Sequence, residues 1–374
     1  MVRRLTALLL FLPAAALAAA PPPPPMTARA WLLVDFSNGQ TIVGKNVDER
    51  IEPASLTKLM SAYLTFDALK KKTISRAQTV NVSRHAWKSG GSRMFIEPRK
   101  PVTVEELLYG MIVQSGNDAT IALAEQVAGS EEVFTQMMNR EAQELGLKDT
   151  NFVNSTGWPD PKHYSTARDL AALSRALIRD FPDYYPLYST KEYRYNGINQ
   201  PNRNRLLWLD PSVDGVKTGH TETAGYCLIA SAHRGDRRLL SVVLGASTEA
   251  MRIEESSKLL NYGFQFYDSV RLYEKGQVVG TLRVWKGVAN EVQAGADGDV
   301  RLVVPRDDAQ KVKAEFEAKQ PLIAPVGAGQ KVGVIHVSLD GKPLGEYPAV
   351  ALEEVAAAGF FGRTWDTVKL WWSK

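Results

Sequence analysis

The side chains that could do chemistry begin with the pair Ser55 and Lys58, which stand three positions apart in "PASLTKLM". Side chains three apart on a helix share one face, so this hydroxyl and amine can meet. A serine attacks a carbonyl only if a neighbouring base takes its proton, and a lysine can be that base only if its pKa falls from about 10.4 towards neutrality. Burial and a second nearby cation both lower a lysine pKa. This chemistry therefore needs a second cation.

A second cation is supplied by Lys217, in "GVKTGHT" at residues 215–221. Thr218 and Gly219 follow it, and the small side chains indicate an edge strand. An extended substrate could lie along such a strand through backbone hydrogen bonds, with the threonine and lysine on its carboxylate.

A third segment, "QSGND" at residues 114–118, supplies Ser115 and Asn117 from a turn between predicted helices. A hydroxyl in this position can relay a proton, and a side-chain amide can hold a substrate carbonyl. The three segments together favour acyl transfer on a serine.

Each segment also has an explanation without chemistry. About one S-x-x-K match is expected by chance in a chain of this size. Ser55 could be a helix N-cap, Lys58 a solvated side chain and Lys217 a surface lysine. The order of all three motifs in one chain is what chance explains poorly.

Hydrophobic spacing predicts an α+β domain that would position these segments. A hairpin is expected around residues 37–39, and a helix is expected from Ser55 to the lysines at 70–72. Further helices fill the middle of the chain, with Asp118 expected to cap one of them. Strands return after Tyr226 and a helix follows. Strands at both ends predict an antiparallel sheet that joins the two ends of the domain.

The two ends of the chain predict export and membrane attachment. Residues 1–20 combine arginines, a short apolar stretch and A-x-A repeats, which is typical of a cleaved signal peptide. Residues 26–270 then form the catalytic domain, and alternating segments over 272–353 predict a small β-sandwich domain. In the last segment, 354–374, aromatic residues fall on one helical face and basic residues on the other. We expect residues 356–374 to form an interfacial membrane helix, the alternative being a helix docked on its own domain.

Composition excludes several classes of function. The net charge of +4 comes without a basic block, so nucleic acid is not an expected partner. Cys227 lies in an apolar stretch and is expected to be a buried thiol. No zinc or phosphate-loop motif occurs, so we expect no metal and no cofactor. His163 and three other histidines lie in polar segments and are expected at the surface.

The motif set S-x-x-K, S-x-N and K-T-G resembles that of penicillin-binding proteins and class A β-lactamases. The variants "SGN" and "KTGHTETAGYCLIASA" are similar to the low-molecular-mass penicillin-binding proteins that are D-alanyl-D-alanine carboxypeptidases of the penicillin-binding protein 5 type. The resemblance covers nearly the whole chain. It implies a serine β-lactamase/transpeptidase-like domain (antiparallel sheet plus helical cluster), a small β-sandwich domain and a C-terminal amphipathic helix.

The resemblance also implies roles for individual residues. Ser55 would be the acylated nucleophile, Lys58 its general base and Ser115 a third catalytic residue. Six residues would bind substrate, namely Asn117, Lys217, Thr218, Gly219, His220 and Arg252. The oxyanion hole would be the backbone N–H of Ser55 and one from the strand after K-T-G, with His220 as the candidate.

The implied activity is that of a serine-type D-Ala-D-Ala carboxypeptidase. Such an enzyme removes the terminal D-alanine from peptidoglycan stem pentapeptides, and β-lactams acylate the same serine. We expect it in the periplasm, attached peripherally to the outer face of the cytoplasmic membrane, and the sequence leaves homodimer formation open.

Three other functions stay open. A class A β-lactamase should carry E-x-x-L-N, and Ser257 stands where its glutamate would be. A D,D-endopeptidase uses the same chemistry on cross-linked peptides. A wall-binding scaffold would need neither Ser55 nor Lys58.

Overall fold

The computed structural model describes residues 20–360 and Asp366. Within them, eight α-helices are found: α1 Lys58–Lys70, α2 Arg84–Trp87, α3 Val104–Ile112, α4 Asn117–Ala128, α5 Glu131–Glu144, α6 Ala167–Asp180, α7 Leu206–Leu209 and α8 Glu249–Phe266. Three short 3-10 helices span Ala54–Thr57, Tyr185–Ser189 and Arg306–Lys311.

The strands fall into an N-terminal and a C-terminal group. The first group is β1 Ala30–Asp35, β2 Thr41–Lys45, β3 Thr79–Val80, β4 Val102–Thr103, β5 Glu192–Tyr195, β6 Ile198–Pro201, β7 Val213–Thr221, β8 Gly225–Arg234 and β9 Arg237–Ala246. The second is β10 Tyr267–Tyr273, β11 Val278–Trp285, β12 Glu291–Ala296, β13 Val300–Pro305, β14 Val312–Ala318, β15 Leu322–Ile323, β16 Lys331–Leu339 and β17 Lys342–Ala351.

The catalytic domain is built on a five-stranded antiparallel sheet of order β2-β1-β9-β8-β7. β1 pairs with β9, with Leu32 opposite Val242, so the sheet joins the two ends of the domain as predicted. The predicted hairpin of β1 and β2 is also present. β7 lies at the edge of the sheet, which leaves one side of that strand free for a substrate.

Helices cover both faces of this sheet. Side chains on a strand alternate between the two faces, so each strand contributes apolar side chains to both. Leu33 of β1 packs on one face in a cluster with Leu259 and Leu260 of α8. Leu32 points to the other face, into the larger core that contains α1. Nearly every side chain of α1 is buried, as expected for a helix at the centre of a core. The centre of the domain therefore carries the Ser55–Lys58 segment.

The expected capping role of Asp118 was wrong. α4 begins after Gly116 without a side-chain cap. The Asp118 carboxylate instead accepts hydrogen bonds from the backbone N–H groups of Met94 (2.9 Å), Phe95 (2.8 Å) and Ile96 (3.2 Å). It therefore anchors the loop that follows α2 to the start of α4.

The C-terminal domain is a β-sandwich. A six-stranded sheet of order β14-β16-β17-β12-β11-β15 packs against the two-stranded sheet of β10 and β13. Leu302 of β13 and Ile335 of β16 share the core between them. The domain begins at Tyr267, directly after α8, rather than at 272.

The C-terminal helix predicted for residues 354–374 does not include residues 354–358. Val355 pairs with Val326 and Ala357 with Gly287, so residues 354–358 are extended and belong to the β domain. The predicted signal peptide and most of the amphipathic helix lie outside the described residues. In the described part of the chain, no helix combines the length and apolar character that crossing a bilayer requires.

The two domains meet through the β1–β2 turn. Gln40 forms two hydrogen bonds with the backbone of Val303 in β13, from Nε2 to the carbonyl oxygen (2.7 Å) and from the Val303 N–H to Oε1 (2.9 Å). Asn38 Nδ2 donates to the carbonyl of Arg301 at 2.9 Å.

Candidate active site

The predicted nucleophile and base are in contact. The 3-10 turn Ala54–Thr57 runs directly into α1, so Ser55 and Lys58 lie one turn apart. Lys58 Nζ lies 2.8 Å from Ser55 Oγ. It also lies 2.8 Å from Asn117 Oδ1 and 2.7 Å from the Thr156 carbonyl oxygen.

This set of partners suits an uncharged amine. Asn117 Oδ1 and the Thr156 carbonyl oxygen can only accept hydrogen bonds, and they take the two N–H groups of a neutral lysine. The remaining lone pair of Lys58 then faces the Ser55 hydroxyl, which is the one neighbour with a proton to give. Lys58 is 1% exposed, and burial lowers its pKa to about 7, against a smaller opposing effect of the Asp118 charge.

Lys217 is the second buried cation. Its Nζ lies 2.8 Å from Ser115 Oγ and 3.1 Å from the Thr218 carbonyl oxygen. Burial holds the Lys217 pKa well below its usual value, and the positive charges of Lys58 and Arg203 act in the same direction. The structure thus contains two hydroxyl–amine pairs, Ser55 with Lys58 and Ser115 with Lys217.

The turn between α3 and α4 fixes Ser115 and Asn117. Ser115 has a φ of 64°, an uncommon conformation for a residue with a side chain, which directs its hydroxyl at Lys217. Asn117 Nδ2 donates to the Gly90 carbonyl at 2.8 Å, which leaves Oδ1 for Lys58. Both polar atoms of the Asn117 side chain therefore form hydrogen bonds within the protein. Its predicted contact with substrate would be additional to these bonds.

β7 passes very close to the turn that carries Ser55. A Cβ on Gly219 would lie 3.1 Å from the Pro53 carbonyl oxygen and 3.3 Å from Leu56 Cγ. Glycine at this position lets the strand approach the nucleophile. Thr218 and Gly219 line the resulting cavity, which has a volume of about 570 Å³.

Two arginines, Arg203 and Arg252, line the cavity. Arg252 is 4% exposed, donates from Nη2 to Glu249 at 2.8 Å and lies over the Tyr226 ring. Arg203 also lines the cavity and was missed by the sequence analysis, because a lone arginine in a polar segment carries no signal. Two guanidinium groups suit the terminal carboxylate of a peptide.

His220 is exposed at the rim of the cavity. Its ring packs on Tyr226 with centroids 4.1 Å apart. His220 therefore forms part of the cavity wall. It directly follows the K-T-G segment in the chain, as predicted.

The loop before α6 contributes groups that sequence reasoning missed. Asn154 Oδ1 accepts from the backbone N–H groups of Gly157 (2.8 Å) and Trp158 (3.0 Å), a turn that places the Thr156 carbonyl on Lys58. A Cβ on Gly157 would lie only 1.7 Å from the Ala54 carbonyl oxygen. The "NSTG" string does indicate such an asparagine-centred turn.

His163 was also placed wrongly, since it is 2% exposed rather than at the surface. Its Nδ1 accepts from the Val153 N–H at 3.2 Å, so Nε2 carries the proton that is shared with Thr57 Oγ1 at 2.8 Å. Burial lowers its pKa to about 4, which keeps the ring neutral near pH 7. His163 therefore connects the loop before α6 to the turn that carries Ser55.

Comparison with known proteins agrees with this geometry. A family model described as peptidase S11, D-alanyl-D-alanine carboxypeptidase, matches residues 16–248. A second model, the penicillin-binding protein 5 C-terminal domain, matches residues 267–357.

Relatives align over most of the chain. D-alanyl-D-alanine carboxypeptidase DacC of Escherichia coli is 45% identical over 92% of this chain and 88% of its own length. DacA of the same species is 40% identical over 92% of this chain and 87% of its own length.

Solved structures share the fold. Penicillin-binding protein 5 of Haemophilus influenzae superposes with a TM-score of 0.87 at 40% identity, covering 90% of this chain and 99% of that one. Penicillin-binding protein D2 of Listeria monocytogenes in its ampicillin-bound form gives a TM-score of 0.61 at 31% identity, covering 66% of this chain and all of that one. These matches confirm the predicted fold class, and the chain belongs to the peptidase S11 family of D-alanyl-D-alanine carboxypeptidases.

Proposed function

We propose that this protein is a serine-type D-Ala-D-Ala carboxypeptidase that removes the terminal D-alanine of peptidoglycan stem pentapeptides. The observation that carries the proposal is the buried Lys58 amine, 2.8 Å from Ser55 Oγ, with two acceptors that take its N–H groups. Family membership supports the same activity.

Acylation begins when Lys58 takes the Ser55 proton. Oγ then attacks the carbonyl carbon of the penultimate D-alanine, and the C–O bond forms as the carbonyl becomes an oxyanion. Backbone N–H groups of Ser55 and His220 stabilise that oxyanion. The C–N bond breaks, and the leaving amine receives the proton that Lys58 took from Ser55, so Lys58 is neutral again before deacylation. Ser115, which lies 2.8 Å from Lys217 Nζ, is the hydroxyl that relays this proton.

Deacylation repeats the same steps with water. Lys58 takes a proton from a water molecule, the hydroxide adds to the ester carbonyl, and Ser55 Oγ leaves with a proton. The products are the shortened peptide and free D-alanine. A β-lactam follows the acylation half of this sequence, which is consistent with the ampicillin-bound form of the Listeria relative.

The substrate lies along β7. Its terminal carboxylate meets Thr218, Arg203 and Arg252, which line the cavity, and its backbone adds to the free edge of the strand. This orientation puts the bond between the two D-alanines over Ser55.

Mass spectrometry of the full-length protein incubated with a pentapeptide ending in D-Ala-D-Ala tests the proposal. We expect release of one D-alanine by the wild type and none by Ser55→Ala, with loss of at least a hundredfold in rate for Lys58→Ala. Wild-type protein that labels with fluorescent penicillin but releases no D-alanine would reject the carboxypeptidase assignment.

We further propose that the protein is exported and attached to the outer face of the cytoplasmic membrane through its last residues. The support is the sequence of residues 1–20 and of the aromatic, basic C-terminal segment. Truncation after Gly359 keeps the Val355 and Ala357 pairings of the β domain. We expect this variant to move to the soluble periplasmic fraction, and an unchanged membrane fraction would contradict the anchor.

A further inference from the structure

Glu131, the first residue of α5, is a largely buried acid that connects two segments of the catalytic domain. Its side chain is 13% exposed. Oε1 accepts hydrogen bonds from the backbone N–H of Ser155 (2.9 Å) and from Ser155 Oγ (2.6 Å). Oε2 lies 2.7 Å from His85 Nε2 in α2. Glu131 itself takes no part in the acyl-transfer steps.

The bonds to Ser155 lead to the carbonyl that takes one N–H group of Lys58. Ser155 is fully buried, and its own carbonyl oxygen accepts from Ser61 Oγ in α1 at 2.6 Å. The next carbonyl in the chain is that of Thr156, which lies 2.7 Å from Lys58 Nζ. Because a single planar peptide unit separates the two carbonyls, holding Ser155 also holds the Thr156 acceptor.

The bond to His85 leads to the second acceptor of Lys58. α2 continues into residues 88–92, where the Gly90 carbonyl accepts from Asn117 Nδ2 at 2.8 Å. That bond orients the amide so that Asn117 Oδ1 lies 2.8 Å from Lys58 Nζ. Both acceptors that receive N–H groups of Lys58 therefore connect back to Glu131.

The carboxylate of Glu131 is well suited to hold these segments. Hydrogen bonds to an ionised carboxylate are shorter and about twice as strong as those between neutral groups. The Glu131 hydrogen bond is the largest cause of a raised His85 pKa, and the charges of Glu125 and Glu132 act in the same direction. Without the carboxylate, the buried N–H and hydroxyl of Ser155 lose their acceptor, which is costly. The loop must then move or admit water.

We propose that Glu131 is a positioning residue for the general base. It holds α2 and the loop before α6 so that the Thr156 carbonyl and Asn117 Oδ1 both meet the Lys58 amine. This inference rests on the proposed carboxypeptidase function, in which Lys58 is the base. Glu131 is not among the residues that line the active-site cavity, so it acts through these two segments.

Glu131→Ala in the full-length protein tests the inference through the pH dependence of penicillin acylation. We expect the plateau rate constant to fall by about tenfold to a hundredfold, the effect of a small displacement of a reacting group. The inflection should move to higher pH, because water beside Lys58 reduces the burial that lowers its pKa. Asp118 and Lys217 keep their charges in this variant, so the shift reports burial.

Glu131→Gln should recover most of the wild-type rate, since its amide oxygen still accepts from Ser155. A defect that glutamine repairs is not due to the lost charge. Glu132→Ala is the matched control, because Glu132 is an exposed acid in the same first turn of α5. It keeps both links of Glu131 and should retain the wild-type profile.

His85→Ala removes one link from an exposed position and decides the question if Glu131→Ala does not fold. The His85 side chain is 62% exposed. We expect the same two changes at a smaller size, with acylation slower by about twofold to fivefold, as for an exposed ion pair. The effect is smaller because Glu125 Oε1 still holds Ser83 Oγ, at the start of α2, at 2.9 Å.

The failure of this inference differs from the failure of the proposed function. A folded Glu131→Ala with the wild-type rate and inflection would overturn the positioning role and leave the carboxypeptidase intact. A Glu131→Gln variant as slow as Glu131→Ala would do the same. An unchanged His85→Ala profile would overturn the link through α2 and, where Glu131→Ala does not fold, the whole inference. A wild type that releases no D-alanine from a pentapeptide would overturn the proposed function instead.

Discussion

At the residue scale, the proposed chemistry depends on the ionisation state of the Lys58 amine. A protonated Lys58 could donate to all three of its neighbours, and a neutral Lys58 donates to two and accepts from Ser55, so both forms satisfy the site's hydrogen bonds. Burial decides between the two forms, and it lowers the pKa to about 7. A large share of the molecules is then ready to react near neutral pH.

Asp118 opposes the lowering of the Lys58 pKa, because its negative charge stabilises the protonated Lys58. In Asp118→Asn we therefore expect the pH at which penicillin acylation is half-maximal to move below the wild-type value. The variant should also lose about 1–3 kcal/mol of stability, since a charged acceptor of backbone N–H groups is removed. Stopped-flow acylation across pH measures the first effect and urea denaturation the second.

Asp67→Asn is the control for Asp118→Asn. Asp67 lies on α1 and forms a surface ion pair with Lys71 at 2.7 Å. We expect no movement of its acylation profile. A shift of the Asp118→Asn profile to higher pH would contradict the assigned electrostatics.

Sequence spacing found the residues whose side chains do the chemistry and missed those that act through the backbone. Ser55 and Lys58 follow from helical geometry, and K-T-G from strand character. The Thr156 carbonyl could not be found in this way, because every residue has a carbonyl. Asp118 was misplaced because N-terminal helix positions favour capping, whereas here a loop distant in sequence competes for the same carboxylate.

At the element scale, the active site depends on how closely the loop before α6 approaches the nucleophile's turn. Gly157 has a φ of 84°, and a Cβ there would lie 1.7 Å from the Ala54 carbonyl oxygen. Close backbone contact of this kind transmits the position of the loop directly to Ser55.

Gly157→Ala tests this contact against a matched position. Gly129 has a φ of 82°, and a Cβ added there would have no heavy atom within 4 Å, so Gly129→Ala carries the conformational strain alone. We expect a loss of about 1 kcal/mol for Gly129→Ala, and a loss larger by at least about 2 kcal/mol for Gly157→Ala, together with slower acylation. Equal losses in urea denaturation would show that the loop yields without cost.

Strand and helix positions were largely predictable, and boundaries were less so. The antiparallel sheet follows from strands at both ends of the domain, as β1 and β9 confirm. The β domain begins at Tyr267 rather than 272 because the chain passes from α8 into β10 without a turn that composition could reveal. Val355 and Ala357 pair with Val326 and Gly287, which are distant in sequence, and helical periodicity cannot show such pairing.

At the scale of the whole molecule, the β domain is joined to the catalytic domain on the side of β1 and β2. Gln40 and Asn38 reach the backbone of β13, and Arg306 reaches the Phe264 carbonyl at 2.9 Å. These contacts fix the position of the catalytic domain relative to the β domain.

Gln40→Ala should loosen this junction. The Val303 N–H donates to Gln40 Oε1, so we expect faster hydrogen exchange at Val303 and a loss of about 1–2 kcal/mol. Gln277→Ala is the control, since Gln277 Oε1 accepts only within the β domain, from the Glu274 N–H. Unchanged exchange over residues 301–305 in Gln40→Ala would show that the junction holds without this side chain.

The pH dependence of penicillin acylation by the full-length protein tests the central claim most directly. Because the neutral amine of Lys58 is the base, the rate constant should rise about tenfold per pH unit below pH 7 and level off above it. Lys58→Ala should acylate at least a hundredfold more slowly at pH 8 and lose that inflection. A wild-type rate that is constant from pH 5.5 to 8.5, or that keeps rising towards pH 10, would contradict the account.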